Sequence, residues 1–273
     1  DGSNTLTLKP AAMAANVTLT LPVDDGTANQ VLATDGDGAL SWATASGGAS
    51  DIDGLSDAKS GGSNFSNSII LGHQTTGTLS SADENVGVGY GTLEAITEGD
   101  QSTGIGYNAL NSNTTGERNT AIGNAALSSN TTGSWNASLG YGSLESNTIG
   151  RFNVAVGNST LNKNTEAMSN SAFGHKALVE NVSGEENVGF GRQALGANTA
   201  SYYNTAVGSF SLQDANRTAD TDGYNVALGH KAGNTGTNDI TTGNKNTLLG
   251  ASTAASAAAG TNQTVIGYGA SGK

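Results

Sequence analysis

The sequence predicts an all-β protein: a parallel β-solenoid of about twelve coils of 17–21 residues, behind a small N-terminal β module. Three observations carry this. The first is a repeat. Asn-x-small-apolar-Gly recurs through most of the chain, as in Asn119-Thr-Ala-Ile-Gly123, Asn136-Ala-Ser-Leu-Gly140, Asn153-Val-Ala-Val-Gly157, Asn170-Ser-Ala-Phe-Gly174 and Asn187-Val-Gly-Phe-Gly191. Its glycines stand at 72, 89, 106, 123, 140, 157, 174, 191 and 208, a constant step of 17; Gly229 and Gly250 follow at 21, and Gly267 at 17 again. Seventeen residues are too few for a helix pair and suit one coil of a solenoid. The second is composition. The 273 residues include 40 Gly, 30 Asn, 2 Pro and no Cys, while Leu, Ile, Val and Phe total only 48, about 18%. That cannot fill an ordinary globular core, so order has to come from stacking near-identical units. The third is alternation: Val86 and Val88, Val154 and Val156, Val226 and Leu228 flank a small residue, which is the period-two pattern of a strand.

Taken in chain order, residues 1–45 lack the repeat. Leu6-Thr-Leu8 and Val17-Thr-Leu-Thr-Leu21 alternate as strands, and Val31–Thr34 and Ala39–Ala43 read as a hairpin turning at Asp35-Gly-Asp-Gly38. Residues 46–66, rich in Gly, Ser and Asp, read as a neck or linker, and residues 67–273 as the solenoid. The two 21-residue units each carry four extra residues, expected as loops on one side, with Asp220–Gly223 in the first.

Within each coil, the Gly ending the strand and the Asn-Thr-x-Gly stretch, as in Asn113–Gly116 and Asn130–Gly133, are turn chemistry. Leu recurs four residues after the Gly, from Leu93 to Leu212, and a second Asn recurs from Asn113 to Asn198. Stacked at about 4.8 Å per rung, twelve coils make a column of roughly 50 Å in which aligned asparagines form amide ladders. The expectation is that the larger strand residues fill the coil interior, and that the small central ones face another chain at close approach.

The repeat Asn-Thr-Ala-Ile-Gly-x-x-Ala-Leu-x-x-Asn-Thr-Thr-Gly, running through about residues 67–273, resembles the head repeats of trimeric autotransporter adhesins of the YadA-like type. It is still more similar to related repeats in bacteriophage tail fibres. The adhesin repeat is shorter, so coil length departs from that family. Leu19-Thr-Leu-Pro followed by Gln30–Trp42 is similar to a segment common in tail-fibre proteins ahead of a trimeric shaft. The resemblance implies a left-handed parallel β-roll assembled as a homotrimer.

Chemistry-bearing motifs are few. His73, His175 and His230 each follow a motif Gly, but they are separated by six and three coils, roughly 29 and 14 Å, too far apart to share a metal within one chain. Gly87-Val-Gly-Tyr-Gly91 imitates a nucleotide loop, yet lacks the following helix and the Lys-Ser/Thr pair. No singular Ser-His-Asp setting, no glycine-rich calcium nonapeptide and no recurring carboxylate cluster stands out; Glu185-Glu186 and Asp24-Asp25 are adjacent in sequence and point to opposite faces of a strand. Trp135, Phe152, Tyr202, Tyr203 and Tyr224 occupy positions between strands, where they either stack on sugar rings or stand as isolated surface aromatics. Without Cys there are no disulfides or thiolate sites. The formal charge of −12 argues against nucleic acid as partner, and no apolar run is long enough to span a membrane. The acidity sits in residues 1–100, with 13 acids and 2 bases.

The functional expectation is therefore non-enzymatic, without cofactor, metal or catalytic residue. It is a tail fibre of a phage virion, whose partners are its own trimer mates, other fibre or virion components at the chain ends, and a host surface glycan or protein receptor. A bacterial autotransporter adhesin head at the cell surface is the alternative; an ice-binding solenoid and a solenoid polysaccharide lyase rank lower. The last coil, ending Ile266–Lys273, lacks a polar cap, so further chain or another protein is expected to follow it.

Overall fold

The computed structural model describes residues 20–24, 27, 30–34, 39–44, 58–60, 64–73, 75–215, 221–236 and 239–273. The expected strands at 6–8 and 17–19, the hairpin turn at 35–38, most of the neck and the loop residues 216–220 lie outside that set. The chain divides into two compact units, Asp1–Gly54 and Leu55–Lys273. In the first, β1 (Gln30–Thr34) pairs antiparallel with β2 (Leu40–Thr44), as the hairpin reading expects.

The second unit is a parallel β-solenoid with no helix among its described residues. Its first strand, β3 (Ala58–Ser60), lies inside the stretch read as neck. Twelve three-residue strands then stack in one sheet: β4 (Ile69–Leu71), β5 (Val86–Val88), β6 (Thr103–Ile105), β7 (Thr120–Ile122), β8 (Ala137–Leu139), β9 (Val154–Val156), β10 (Ser171–Phe173), β11 (Val188–Phe190), β13 (Thr205–Val207), β15 (Val226–Leu228), β16 (Thr247–Leu249) and β17 (Thr264–Ile266). Register is strict, Ala121 over Ser138 over Ala155 over Ala172, so the repeat period is the structural period. β3 pairs antiparallel with β4 and covers the first edge of the sheet. A short parallel pair, β12 (Ser201–Tyr202) with β14 (Thr221–Asp222), flanks the insertion in the first long coil.

The corners follow from backbone chemistry. The motif glycines have φ between 115° and 138°. At Gly123 a Cβ would lie 2.5 Å from the carbonyl oxygen of Gly140 in the next coil. Both the dihedral and the close approach therefore demand glycine there. Gly123→Ala is expected to cost about 1–3 kcal/mol of stability, read as a lowered thermal midpoint with unchanged strand content. Up to three further corners per coil take the left-handed region, most of them with ordinary side chains, for example Ala125 (φ 55°), Leu127 (φ 52°) and Trp135 (φ 57°).

The interior reverses the expected polarity of the strands. The small central residues Ala121, Ala155, Ala172, Ala206 and Ala227 are wholly buried, while the larger flanking residues point outward, Leu139 at 45% and Phe190 at 54% exposure. The reason is the Leu column. Leu93, Leu110, Leu127, Leu144, Leu161, Leu178, Leu195 and Leu212 are fully buried and occupy the space under the strand. A Cβ on Gly189 would lie 3.3 Å from Leu178 Cδ1. Where the Leu column fails, large strand centres stand nearby: Ile70 in the coil of Thr76, and Leu248, whose Cδ1 would lie 3.0 Å from a Cβ on Gly233, although Ala227 in Gly233's own coil stays small. Bulk missing from one interior position is thus partly supplied by the other.

Buried asparagines tie the coils together. In the column before the strand, Asn153 Nδ2 donates to Ala167 O (2.8 Å), and Asn153 Oδ1 accepts from the backbone N–H of Asn170 (3.0 Å). The arrangement repeats through Asn187, Asn204, Asn225 and Asn246. A second ladder runs from Asn113 to Asn198, each amide donating to the previous side-chain oxygen, as Asn130 Nδ2 to Asn113 Oδ1 (2.7 Å). It stops where Ala215 takes the next rung, and Asn198 Oδ1 accepts no hydrogen bond among the described residues. Both ladders match the aligned Asn columns of the sequence.

Candidate functional site

With every coil nearly alike, candidate sites are columns of side chains on the outside of the stack. Three matter. The first is the strand face. Because the central residue points in, both neighbours point out. The residue before each motif Gly is large and apolar on every rung: Leu71, Val88, Ile105, Ile122, Leu139, Val156, Phe173, Phe190, Val207, Leu228, Leu249 and Ile266. Phe173 and Phe190 touch, with ring centroids 5.4 Å apart. The companion column mixes Val86, Val154, Val188 and Val226 with Thr, Ser and Ala. The result is an unbroken apolar stripe along the sheet, larger than the scattered exposed residues normal for a soluble surface.

The second column follows the Gly and holds the histidines. His73 Nε2 donates to the carbonyl oxygen of Thr92 (2.8 Å), and His230 meets the Phe210 ring edge-on at 6.1 Å. Tyr90 and Tyr107 stack at 5.9 Å in the same column. Among the described residues no three His, Asp or Glu side chains are grouped to hold a metal ion. The Gly87–Gly91 string lies in β5 and the corner after it, with Gly87 inside the coil rather than lining a loop.

The third column is not apparent in the sequence. Trp135, Phe152, Tyr203 and Tyr224 are not isolated: each stands one residue before a ladder Asn, at a left-handed corner, and they form two stacked pairs on the outside. From the first rung the column reads Asn67, Glu84, Gln101, Arg118, Trp135, Phe152, Ser169, Glu186, Tyr203, Tyr224, Lys245, Asn262. Gln101 Nε2 donates to Glu84 Oε2 (2.8 Å). The Arg118 guanidinium lies 5.4 Å from the Trp135 ring centre; Trp135 and Phe152 stack at 5.2 Å and Tyr203 and Tyr224 at 4.9 Å. The one linear signal is a fixed offset from the motif, hidden because the residue type varies. Beside this stack runs an open groove of about 520 Å³ lined by Thr132, Ile149, Arg151, Glu166, Met168 and Tyr202, among others.

Titration offers little. Burial, and then the neighbouring Asp239, hold the Asp214 carboxyl above the usual carboxylate range. Asp239 itself accepts from the backbone of Gly236 (2.7 Å), so the pair serves the turn of a long coil. In the N-terminal unit an open hollow lies beside Trp42, whose indole N–H donates to the carbonyl oxygen of Asp24 (2.9 Å).

Among the described residues no helix is long and apolar enough to cross a membrane. Comparison with protein-family models, with curated proteins and with solved structures found no match. The fold class, a repeat-built parallel β-solenoid, therefore rests on the chain's own periodicity and geometry.

Proposed function

We propose that this chain is a non-enzymatic structural module of an extracellular fibre, assembled as a parallel homotrimer, and that the fibre is a phage tail fibre contacting a host surface. The observation that carries the reading is the apolar column from Leu71 to Ile266. Twelve consecutive rungs spend a large apolar residue on the outside, although the chain has few to spare and its own interior is already filled by leucines. Covering such a stripe is worth about 25 cal/mol per Å² removed from water, and a stripe repeated in register along one axis is best covered by copies of itself. Copies running in the same direction close by cyclic symmetry. The number three, the virion location and the host contact follow from the tail-fibre resemblance of the repeat and of Gln30–Trp42. A fibre of this kind multiplies weak surface contacts by the number of its chains.

Sedimentation equilibrium on the purified chain tests the assembly. The expected mass is about 81 kDa, three times the 27.1 kDa of one chain. A stable 27.1 kDa species at micromolar concentration overturns it.

A further inference from the structure

The geometry points to a carbohydrate-binding groove beside the aromatic stack, between Thr132 and Tyr202, that takes a neutral or N-acetylated oligosaccharide. This deepens the fibre reading and rests on it for its biological sense. Three observations place the site. The stack is interrupted at two rungs, Ser169 and Glu186, and Ser169 is too short to cover the Phe152 ring. One face of the Trp135–Phe152 pair is closed by Arg118, whereas the face turned toward Ser169 is left for another flat group. Tyr203, stacked on Tyr224, bounds the gap from the other side.

The groove runs one residue upstream of this column: its lining residues Arg151, Met168, Glu185 and Tyr202 immediately precede Phe152, Ser169, Glu186 and Tyr203. Earlier coils carry Ser81, Glu98 and Thr115 in one of its columns and Asp83, Asp100 and Glu117 in the other. Here Ile149 enters the first column and Arg151, Met168 and Tyr202 enter the second, while Thr132, Glu166, Ser183 and Glu185 keep the earlier residue types. Ala167 stands on its floor, in a column that elsewhere is mostly Gly. In a stack of near-copies, these coils depart from the repeat where the surface is concave.

The chemistry selects the ligand. A pyranose ring offers an apolar C–H face to an exposed aromatic ring and hydroxyl pairs at its edge. Glu166 and Glu185 supply acceptors for those hydroxyls, and Arg151 supplies a fork of donors. One base against two acids in the lining disfavours a polyanion such as nucleic acid or a sulfated glycan. The lining columns run through four rungs, about 14 Å end to end at one strand spacing per step, which suits a short linear saccharide. The left-handed corner at Phe152 separates the groove from the strand face, so packing of that face against sister chains leaves the groove accessible.

The test is an array of neutral and N-acetylated oligosaccharides, followed by titration of the best glycan with Trp135 fluorescence as readout and Trp42→Phe as the background. Saturable binding is expected, with a sulfated glycan (heparin) bound at least tenfold more weakly. Ser169→Trp fills the first missing rung, next to Phe152; it is expected to fold with an equal or higher thermal midpoint and to lose at least tenfold in affinity. Glu185→Gln with Arg151→Ala is expected to lose as much without a change in circular dichroism. No binding across the array, preference for heparin, or affinity within twofold of the parent in Ser169→Trp overturns the groove. Mass measured on the same samples separates the two readings: a trimer that binds no glycan refutes the groove alone, and a monomer that binds refutes the trimeric fibre alone.

Discussion

Asn153→Asp is expected to be mildly destabilising in acid and severely destabilising at neutral pH. Asn153 is fully buried in the ladder ahead of β9. Its amide nitrogen donates to Ala167 O at 2.8 Å and to Asn136 Oδ1 at 3.2 Å, while its oxygen accepts from the Asn170 backbone N–H. A carboxylate keeps the acceptor but sets a second oxygen against two acceptors, and places a charge in a fully buried site. Protonated, the acid has a single O–H and restores one of the amide's two donations. Its pKa in the folded chain must therefore lie well above the unfolded value of about 3.9. A carboxyl raised on folding favours the folded state below its unfolded pKa and loses that advantage as pH rises. Urea unfolding should thus lie within about 1 kcal/mol of the parent near pH 3, the cost of the one donation not restored, and fall roughly 3–5 kcal/mol below it at pH 7, the range for an uncompensated buried charge. Asn153→Ser should be milder. Ser102 already takes this position in an earlier coil, and its hydroxyl accepts from the Asn119 N–H at 3.2 Å. Because coils touch only their neighbours, hydrogen exchange should show protection lost first in the coils carrying Asn136, Asn153 and Asn170. A uniform loss along the stack would show that the ladder is not the local tie described here.

The double substitution Leu139→Asp with Val156→Asp should convert the proposed assembly to monomers without unfolding the coils. Both residues stand on the outward apolar column at β8 and β9, Leu139 at 45% exposure, so neither contributes to the interior. In a parallel assembly of identical chains, every copy of a rung meets at the same level. Two new carboxylates per chain then crowd the seam, and like charges held together there cost several kcal/mol. Sedimentation should fall to the single-chain mass, with the β signature of circular dichroism retained. An assembly that keeps its mass with both substitutions would remove the strand face from the seam.

The period of 17, the short strands, the parallel register and both amide ladders are legible in the amino-acid order, because each repeats and the others follow from it. The N-terminal hairpin is equally legible from its alternation. The strand polarity is not, because it breaks a rule correct for most strands, that the larger of two alternating residues turns inward. Here a residue from the next corner occupies the interior. Leu144 and its equivalents are four positions beyond the Gly. Only the closed coil reveals that they lie under the strand and push the valines and phenylalanines out. The aromatic column is concealed for a related cause. Trp135, Phe152, Tyr203 and Tyr224 share an offset rather than a residue type, and what joins them is stacking across coils, which a linear reading does not display.

By itself the sequence determined that this chain stacks, at what interval, and through which asparagines, since those properties belong to a repeat and to local backbone preferences. The tertiary structure decided which side of each strand is buried and which side chains become neighbours. That choice depends on the volume left inside a coil once all four of its sides have closed, a quantity no single segment carries.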